Sequence, residues 1–459
     1  MTKGSIPRQM ILFAIPIFFG QLFQQLYNTV DSLIVGNFLG SHALAAVSSS
    51  GNLIQLMVGF FNGVAMGASV VISRCYGAGD SEKLSHSIHS TVALGLLISV
   101  VLTILGVWAS PVLLRWMGTP QEVFPLSQAY FSIFFAGVSG MVLYNLFSGI
   151  MRALGDSRRP LYFLIISSLT NVVLDLVFIA VFGWGVEGAA TATILSQFLS
   201  AILAFVYLVR ASGPEHLEIR KVRFSGDMTK EIIRYGLPTG VQNSIISLAN
   251  VVVQSNINAF GPEAMAGMGA YSKLEGFAFL PMMSFNMAIS TFVGQNIGAE
   301  EYERTLQGAR FGIIGSMLMT ELVGVVFFLF STQFIALFDS SPEVIAYGAL
   351  RARGNALFYF LLAYSHAVSA VMRGGGKPAV PMYVMLVFWC VVRIGFLMLT
   401  APFHNIQCLV WVYPLTWALS SAFFVWYYQK KTWLYPQGHR LKRQAVSGGQ
   451  CQPCCRDTD

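Results

Sequence analysis

The sequence carries little charge for its length. Of its 459 residues, 11% are charged and 55% are hydrophobic, whereas soluble globular domains average about 25% charged residues. With so few charges, a folded body of this size has too little polar surface to be solvated by water. The composition therefore excludes an ordinary soluble protein and favours one embedded in a lipid bilayer.

Cysteine and familiar catalytic motifs are also scarce. Of the six cysteines, Cys75, Cys390 and Cys408 lie in or near apolar stretches, and the other three form a CxxCC group in a polar tail. That group has no second Cys pair or His partner to complete a metal site. The sequence shows no DDxxD, HExxH or GxSxG pattern at a membrane edge, so neither an enzyme nor an organic cofactor is predicted.

Twelve long apolar stretches dominate what remains. Each is long enough to cross the roughly 30 Å hydrocarbon core of a bilayer as a helix. The first continues well past Ala14, so we interpret it as a retained membrane span and not as a cleaved leader. The predicted spans are residues 10–38, 45–74, 88–110, 122–150, 160–183, 187–210, 230–259, 264–297, 308–331, 343–372, 379–402 and 408–429.

These stretches form two sets of six, related by a repeat of about 221 positions. Six spans per copy is an even number, so both copies enter the membrane with the same orientation. The sequence predicts an all-α polytopic membrane protein with 12 transmembrane helices in two pseudo-symmetric lobes. Its parts are an N-lobe (residues 1–210), an interlobe linker (211–229), a C-lobe (230–430) and a disordered cytoplasmic tail (431–459). The matching residues are Met151-Arg152 with Met372-Arg373, Gly77-Ala78 with Gly298-Ala299, Gly40 with Gly261, and Pro16 with Pro238.

The basic residues are distributed unevenly between the two sides of the predicted membrane. The 28 Lys and Arg residues fall at the N-terminus, the even-numbered connectors or the C-terminus, except Arg115, Lys273, Arg351, Arg353 and Arg393. By the positive-inside rule, both termini are predicted to be cytoplasmic in a multi-pass cell-membrane protein. The net charge of +7 is explained in this way without nucleic-acid binding.

Two carboxylates lie at membrane depth in the N-lobe, Asp31 on the first span and Asp175 on the fifth. Charged groups there are costly unless they are paired or hydrated, so they are functional candidates by default. Each shares a helix face with other polar residues, because spacings of three, four and seven fall on one side of a helix. The first face holds Gln24, Tyr27, Asn28 and Asp31, the fifth span holds Ser168, Asn171 and Asp175, and the fourth and sixth spans add Tyr144, Asn145, Thr191 and Thr193.

Carboxylate, amide and hydroxyl oxygens suit a small hard cation or a shared proton. Asn, Ser and Thr also commonly bond neighbouring membrane helices and do nothing more, and for Ser168, Tyr144 and Asn145 that alternative stays open. The repeat places Val252 or Val253 opposite Asp31, and Arg393 opposite Asp175. The acid is therefore concentrated in one lobe, where we place the ion site.

Further polar residues lie in the C-lobe. Lys273 and Glu275 are two positions apart on the eighth span, so they need not pair with each other. We predict that Arg393 neutralises Glu275 in a structural tie between helices. We expect Arg351 and Arg353 to snorkel to the outer surface.

Several motifs in combination resemble the multidrug and toxic compound extrusion (MATE) transporters of the multidrug/oligosaccharidyl-lipid/polysaccharide flippase superfamily. The resemblance covers roughly residues 8–430. Its carriers are Gln24-xx-Tyr27-Asn28-xx-Asp31-xxxx-Gly36, Gly77-Ala78-Gly79-Asp80, Met151-Arg152-Ala153-x-Gly155-Asp156, Asn171-xxx-Asp175, and Gly185-Val186-Glu187-Gly188-Ala189-Ala190-x-Ala192-Thr193.

The resemblance implies an antiporter, expected as a monomer, that expels organic and often cationic small molecules using inward Na⁺ or H⁺. It implies a V-shaped cavity between two six-helix lobes, with bending of the first helix at Pro16. The chain lacks the acidic residues that one branch of the family carries on the seventh and tenth helices, which favours the branch of DNA-damage-inducible and Gram-positive members. The implied cation site is Asp31, Asn171, Asp175 and Thr193, and the implied substrate contacts are Gln24, Tyr27, Asn28, Asn145 and Ser168.

A flippase and a channel are two alternatives to an antiporter. A lipid-linked oligosaccharide or polysaccharide flippase would share the fold, but its pyrophosphate substrate would favour a cavity rich in Arg, whereas this N-lobe is acidic. A channel would be expected to repeat a filter-like loop in each lobe, and none is visible in the sequence.

Overall fold

The computed structural model describes residues 1–116, 119, 121–338, 341–403 and 405–434, excluding the side chains of residues 41, 44–45, 48–53, 55 and 56. The described residues are almost entirely helical. The CxxCC group of the tail lies outside them. The predicted all-helical architecture is confirmed.

The described part of the first half of the chain contains seven α-helices. Helix α6 continues into a π-helical turn, Leu176–Val181, before the chain reaches α7. Helices α4 and α5 meet at Gly137 with a bend of 47° and together correspond to one predicted span. The helices are α1 (Ile6–Leu39), α2 (Ser41–Gly77), α3 (Ser81–Trp116), α4 (Phe124–Ala136), α5 (Val138–Ala153), α6 (Arg158–Asp175) and α7 (Val186–Arg210).

The second half repeats this order after a short 3-10 turn, Ile219–Lys221, in the linker. A second π-helical segment, Leu386–Val392, lies between α14 and α15. The helices are α8 (Gly226–Asn258), α9 (Pro262–Gly298), α10 (Tyr302–Leu329), α11 (Ser331–Ala336), α12 (Pro342–Asn355), α13 (Tyr359–Gly374), α14 (Ala379–Met385), α15 (Arg393–Thr400) and α16 (Ile406–Gln429).

Ten helical segments among the described residues are long and apolar enough to cross a membrane, and the bent α4–α5 pair makes an eleventh. Helix α8 stands where the seventh span was predicted and has 33 residues, enough to cross a bilayer, but it is more polar than the others. Hydroxyl side chains within the spans bond the preceding turn of their own helix, as Ser99 does to the carbonyl oxygen of Gly95 at 2.8 Å. Because the lipid core offers no hydrogen-bonding partners, the polar groups of a spanning helix must form their hydrogen bonds within the protein.

The backbone repeats with the period predicted from the sequence. Residues with a left-handed backbone occur in pairs 221 positions apart: Gly40 with Gly261, Gly79 with Glu300, and Gly155 with Gly376. In each pair the residue ends one helix and redirects the chain into the next. The turn after α5 also repeats its closing hydrogen bond, from the Asp156 amide to the Met151 carbonyl and from Lys377 to Met372, at 2.9 and 2.8 Å.

Glycines bring α2 and α8 into backbone contact where the two lobes meet. A Cβ atom added to Gly67 would lie 2.3 Å from the backbone nitrogen of Gly236, and one added to Gly63 would lie 2.1 Å from that of Gly240. Small residues allow membrane helices to approach this closely. The contact lies toward the end of the bundle where α1 begins and α2 ends, which we call the basic end because Arg74, Arg152 and Arg210 also lie there.

Helix α1 belongs to both halves of the molecule. Its first part, including Met10, Phe13 and Ile17, packs in the same hydrophobic core as helices α9, α10 and α13 of the C-lobe. Its last part, including Ile34 and Val35, packs with α4, α7 and the first π-helical segment of the N-lobe. Pro16 is buried within the first part, directly before Ile17, inside one continuous helix. The predicted bending there stays a prediction.

Replacing Gly67 with Ala is expected to destabilise the protein, because the new methyl group would overlap the α8 backbone. Overpacking of this kind costs about 1–3 kcal/mol. We expect a lower Tm in a thermal melt of the detergent-purified protein. The matched control is Gly59→Ala on the same helix, where an added Cβ meets no atom within 4 Å. Equal melting of the two variants would contradict the backbone contact.

Candidate functional site

Asp31 and Asp175 face each other inside the N-lobe. Asp31 lies on the last third of α1, and Asp175 is the last residue of α6 before the π-helical segment. Their exposed fractions are 9% and 0%, and the two carboxyl groups are close enough to interact directly. Neither has an ion-pair partner among the described residues. Two acids are thus brought together without a base.

Buried polar atoms without hydrogen-bond partners lie on the two helices that carry this pair. Polar atoms in protein interiors are nearly always hydrogen-bonded, so a cluster of unsatisfied ones marks a place for water or a ligand. Within the described residues the cluster lies on α1 and α6, and most of its atoms are oxygens. They are Oδ1 of Asp31, Oγ of Ser168, both amide atoms of Asn171, and both carboxyl oxygens of Asp175.

These oxygens are the ligands that a small hard cation prefers, and two facing carboxyl groups can also share a proton. Of the four residues predicted to hold the cation, the structure brings Asp31, Asn171 and Asp175 into this cluster. Thr193 is half-buried on α7, one turn beyond Ala189, which packs in the same core as Ile34. No cluster of three or more His, Cys, Asp and Glu side chains able to hold a metal occurs in the described ranges.

Two residues that the sequence reasoning missed complete the surroundings of the acids. Tyr130, in the middle of α4, is buried and interacts with both carboxyl groups. The Tyr27 side chain lies within hydrogen-bonding reach of Gln197 on α7. Tyr130 lies in an apolar run that hides it, but the repeat gives a signal, since 221 positions later the chain has Arg351.

The predicted substrate contacts divide into two groups. Tyr27 lies beside the acids, and Ser168 is buried two turns before Asp175 on the same helix. Gln24 and Asn28 are exposed on the same helix as Asp31. Asn145 is elsewhere: its amide donates to the Met141 carbonyl at 3.0 Å, and it borders a small cavity lined by α2, α3 and α5. Tyr144 donates to the Pro160 carbonyl at 2.8 Å, which fits the structural alternative for that residue.

The C-lobe contains a buried charge cluster of the opposite sign. Glu275 on α9 approaches Arg351 on α12, with Oε2 3.6 Å from Nη2. Arg393, at the start of α15, donates to the Thr416 hydroxyl at 3.0 Å and to the amide oxygen of Asn250 at 3.4 Å. Both guanidinium groups stack on the Tyr413 ring, with Cζ 5.0 and 4.6 Å from its centroid. Two cations and one anion are therefore buried together, and both cations contact the ring of Tyr413.

This cluster corrects two expectations. The predicted tie between helices exists, but the ion-pair partner of Glu275 is Arg351, and Arg393 acts on it from farther away. Arg351 does not snorkel to the surface: it is buried, and its Nη1 donates to the carbonyl of Met268 and to the hydroxyl of Ser272. Lys273 is exposed and lies outside the cluster.

Known proteins resemble this chain over most of its length. The family profile described as MatE matches residues 16–177 and again residues 238–399. The protein named Probable multidrug resistance protein YoeA of Bacillus subtilis is 31% identical over 439 residues, which are 93% of this chain and 94% of YoeA. The one named Probable multidrug resistance protein NorM of Thermotoga maritima is 29% identical over 397 residues, 84% of each chain. An outward-facing multidrug resistance transporter of the MATE family and MOP superfamily superposes with a TM-score of 0.87 at 25% identity, covering 94% of this chain and 97% of the other.

Replacing Arg351 with Gln is expected to destabilise the C-lobe, because Glu275 would lose its ion-pair partner inside the membrane. Removing one member of a buried pair costs about 3–5 kcal/mol. We expect a clear fall in Tm, and partial recovery in the double variant Glu275→Gln/Arg351→Gln. Lys273→Gln, an exposed cation on the same helix as Glu275, is the matched control. A Tm of Arg351→Gln equal to that of the control would contradict the ion pair between Glu275 and Arg351.

Proposed function

Because the chain belongs to the MatE family, we propose that it is a secondary active antiporter that exports organic, often cationic, compounds in exchange for Na⁺ or H⁺. The observation that carries the proposal is the pair of buried carboxyl groups with unsatisfied oxygens and no basic partner among the described residues. Relatives named as multidrug resistance proteins support the substrate class.

Coupling would arise from competition for the acidic site. A cation or proton entering from outside lowers the negative charge that Asp31 and Asp175 share. The less negative site binds a cationic substrate less well, and the substrate leaves outward. The ion is then released into the cytoplasm. A gradient can drive export only if the ion and the substrate bind the two conformations with different affinities.

Helix α1 is suited to transmit this exchange. It carries Asp31 in the N-lobe core, and its other end, including Met10, is packed in the C-lobe core. A change in the charge of Asp31 therefore acts on a helix that packs in cores of both lobes. We place the bend at Pro16, where the missing backbone donor weakens the helix.

The remaining features of the proposal concern topology and assembly. The basic end carries Arg74, Arg152 and Arg210. We therefore place this end, with both termini, on the cytoplasmic side of a bacterial-type cell membrane. We propose the monomer as the working unit, since each chain supplies both lobes. A flippase is disfavoured because the described N-lobe site is acidic, and a pyrophosphate would be repelled by Asp31 and Asp175.

Replacing Asp31 or Asp175 with Asn is expected to abolish gradient-driven export, because an amide cannot exchange a cation or proton for substrate. Ethidium efflux from loaded cells, with expression verified by immunoblot, should fall to the level of cells without the protein. Glu187→Gln provides the control, as Glu187 is an exposed carboxylate on α7 of the same lobe. Efflux by Asp31→Asn at the wild-type rate would show this coupling scheme to be wrong.

The coupling ion is identified by reconstitution in proteoliposomes under separately imposed sodium and pH gradients. The proposal expects one of these gradients to drive substrate transport uphill, and the response to disappear in Asp175→Asn. Substrate movement that only ever runs down its own gradient, with neither ion gradient having an effect, would indicate a channel instead.

A further inference from the structure

A second cavity lies at the basic end of the bundle, far from the paired aspartates. Its volume is about 590 Å³, and it opens between the first turns of α3 and the interlobe linker. Neither the acidic site nor the buried C-lobe cluster contributes to it. The lining residues are Glu82, Ser85, His86, His89, Ser90, Arg220, Lys221, Arg223, Phe224 and Ser225.

Hydrogen bonds hold the linker in place as the outer wall of this cavity. The Glu218 amide donates to Nε2 of His89 at 3.1 Å, and the Ser225 amide donates to the Ser90 hydroxyl at 3.0 Å. Between these anchors lies the 3-10 turn Ile219–Lys221, which has no buried side chain. Leu217 is buried just before the first anchor and fixes the linker to the bundle. The cavity is therefore a built feature of the fold.

The cavity has an excess of positive charge. Arg220, Lys221 and Arg223 line it, against one lining carboxylate, Glu82. Lys221 is partly neutralised by Glu218, at 2.7 Å, but none of the ion pairs among the described residues involves Arg220 or Arg223. The guanidinium groups of Arg220 and Arg223 are therefore available to bind an anion. Their planar arrangement of donors matches the oxygens of a phosphate group.

The depth of the cavity corresponds to the headgroup layer of a membrane. Lipid-facing apolar residues begin at Leu96 on α3, six residues beyond Ser90, or about 9 Å at the helical rise per residue. The linker itself exposes two large apolar side chains beside its cations: Ile219 is 61% exposed and Phe224 is 53% exposed. Apolar groups next to Arg and Lys are typical of a segment lying at the membrane interface.

We infer that this cavity binds the phosphate headgroup of an anionic phospholipid, with Arg220 and Arg223 as its charged contacts and Ile219 and Phe224 beside the acyl chains. The exposed apolar side chains of Ile219 and Phe224 favour a lipid over free phosphate, because an inorganic ion has no apolar part that could contact them. A bound lipid would fasten the interlobe linker, and so the junction between α7 and α8, to one membrane surface.

The test is native mass spectrometry of the detergent-purified full chain with phosphatidylglycerol or phosphatidylcholine added. We expect the wild type to retain phosphatidylglycerol in preference to phosphatidylcholine. In Arg220→Gln/Arg223→Gln the apparent affinity for phosphatidylglycerol should fall by about thirtyfold, since each cation near an anionic lipid surface contributes about a fivefold factor. Phe224→Ser should weaken phosphatidylglycerol retention as well.

The matched control is Lys230→Gln/Arg234→Gln, which removes two exposed cations from the neighbouring α8 without touching the lining. It should retain phosphatidylglycerol as the wild type does. Equal retention by the two double variants, or equal retention of the two lipids by the wild type, would overturn the inference. So would displacement of phosphatidylglycerol by millimolar inorganic phosphate together with a Phe224→Ser variant of unchanged affinity, which would assign the cavity to free phosphate.

A photoactivatable phosphatidylglycerol supplies a second readout that needs no variant. Cross-linked to the wild type in proteoliposomes and mapped by peptide mass spectrometry, it should label the segment 219–225. Labelling that avoids this segment while occurring elsewhere would also overturn the inference.

Discussion

The structure depends on two carboxyl groups held face to face in the hydrocarbon region without a neutralising base. Charge at this depth is costly, and Asp31 and Asp175 have no basic partner among the described residues to offset that cost. Unsatisfied amide and hydroxyl atoms of Asn171 and Ser168 lie on the helix that ends at Asp175. Such a group of atoms is completed by something mobile, a cation, a proton or water, and this is the requirement for a site that exchanges one bound species for another.

The two halves of the molecule use one scaffold for opposite purposes. Asp175 directly precedes one π-helical segment and Arg393 directly follows the other, and Tyr130 stands 221 positions before Arg351. π-Helical turns are frequent at functional sites. In the C-lobe, Glu275 pairs with Arg351, and Arg393 donates to Thr416 and stacks on the ring of Tyr413. In the N-lobe, Asp31 and Asp175 have no basic partner among the described residues.

Much of this architecture could be predicted from the sequence, because period and polarity are local properties. The spans, the 221-residue repeat and the shared faces of Asp31 and Asp175 follow from spacing along single helices. Contacts between helices did not follow from the sequence. Tyr130 lies in an apolar run, and the approach of Gln197 to Tyr27 depends on how α7 and α1 pack. The pairing of Glu275 with Arg351 likewise depends on how α9 and α12 pack. Sequence spacing also gave no sign that α1 starts in the C-lobe core and ends in the N-lobe core.

The most direct measurement is of the cation that substrate binding displaces from the purified protein. Substrate would be added to detergent-solubilised protein while released protons are followed in weakly buffered solution and bound ²²Na⁺ is followed separately. The account predicts that substrate releases one of the two ions and that Asp175→Asn abolishes the release. Tight substrate binding by the wild type with no change in either bound protons or bound sodium would contradict it.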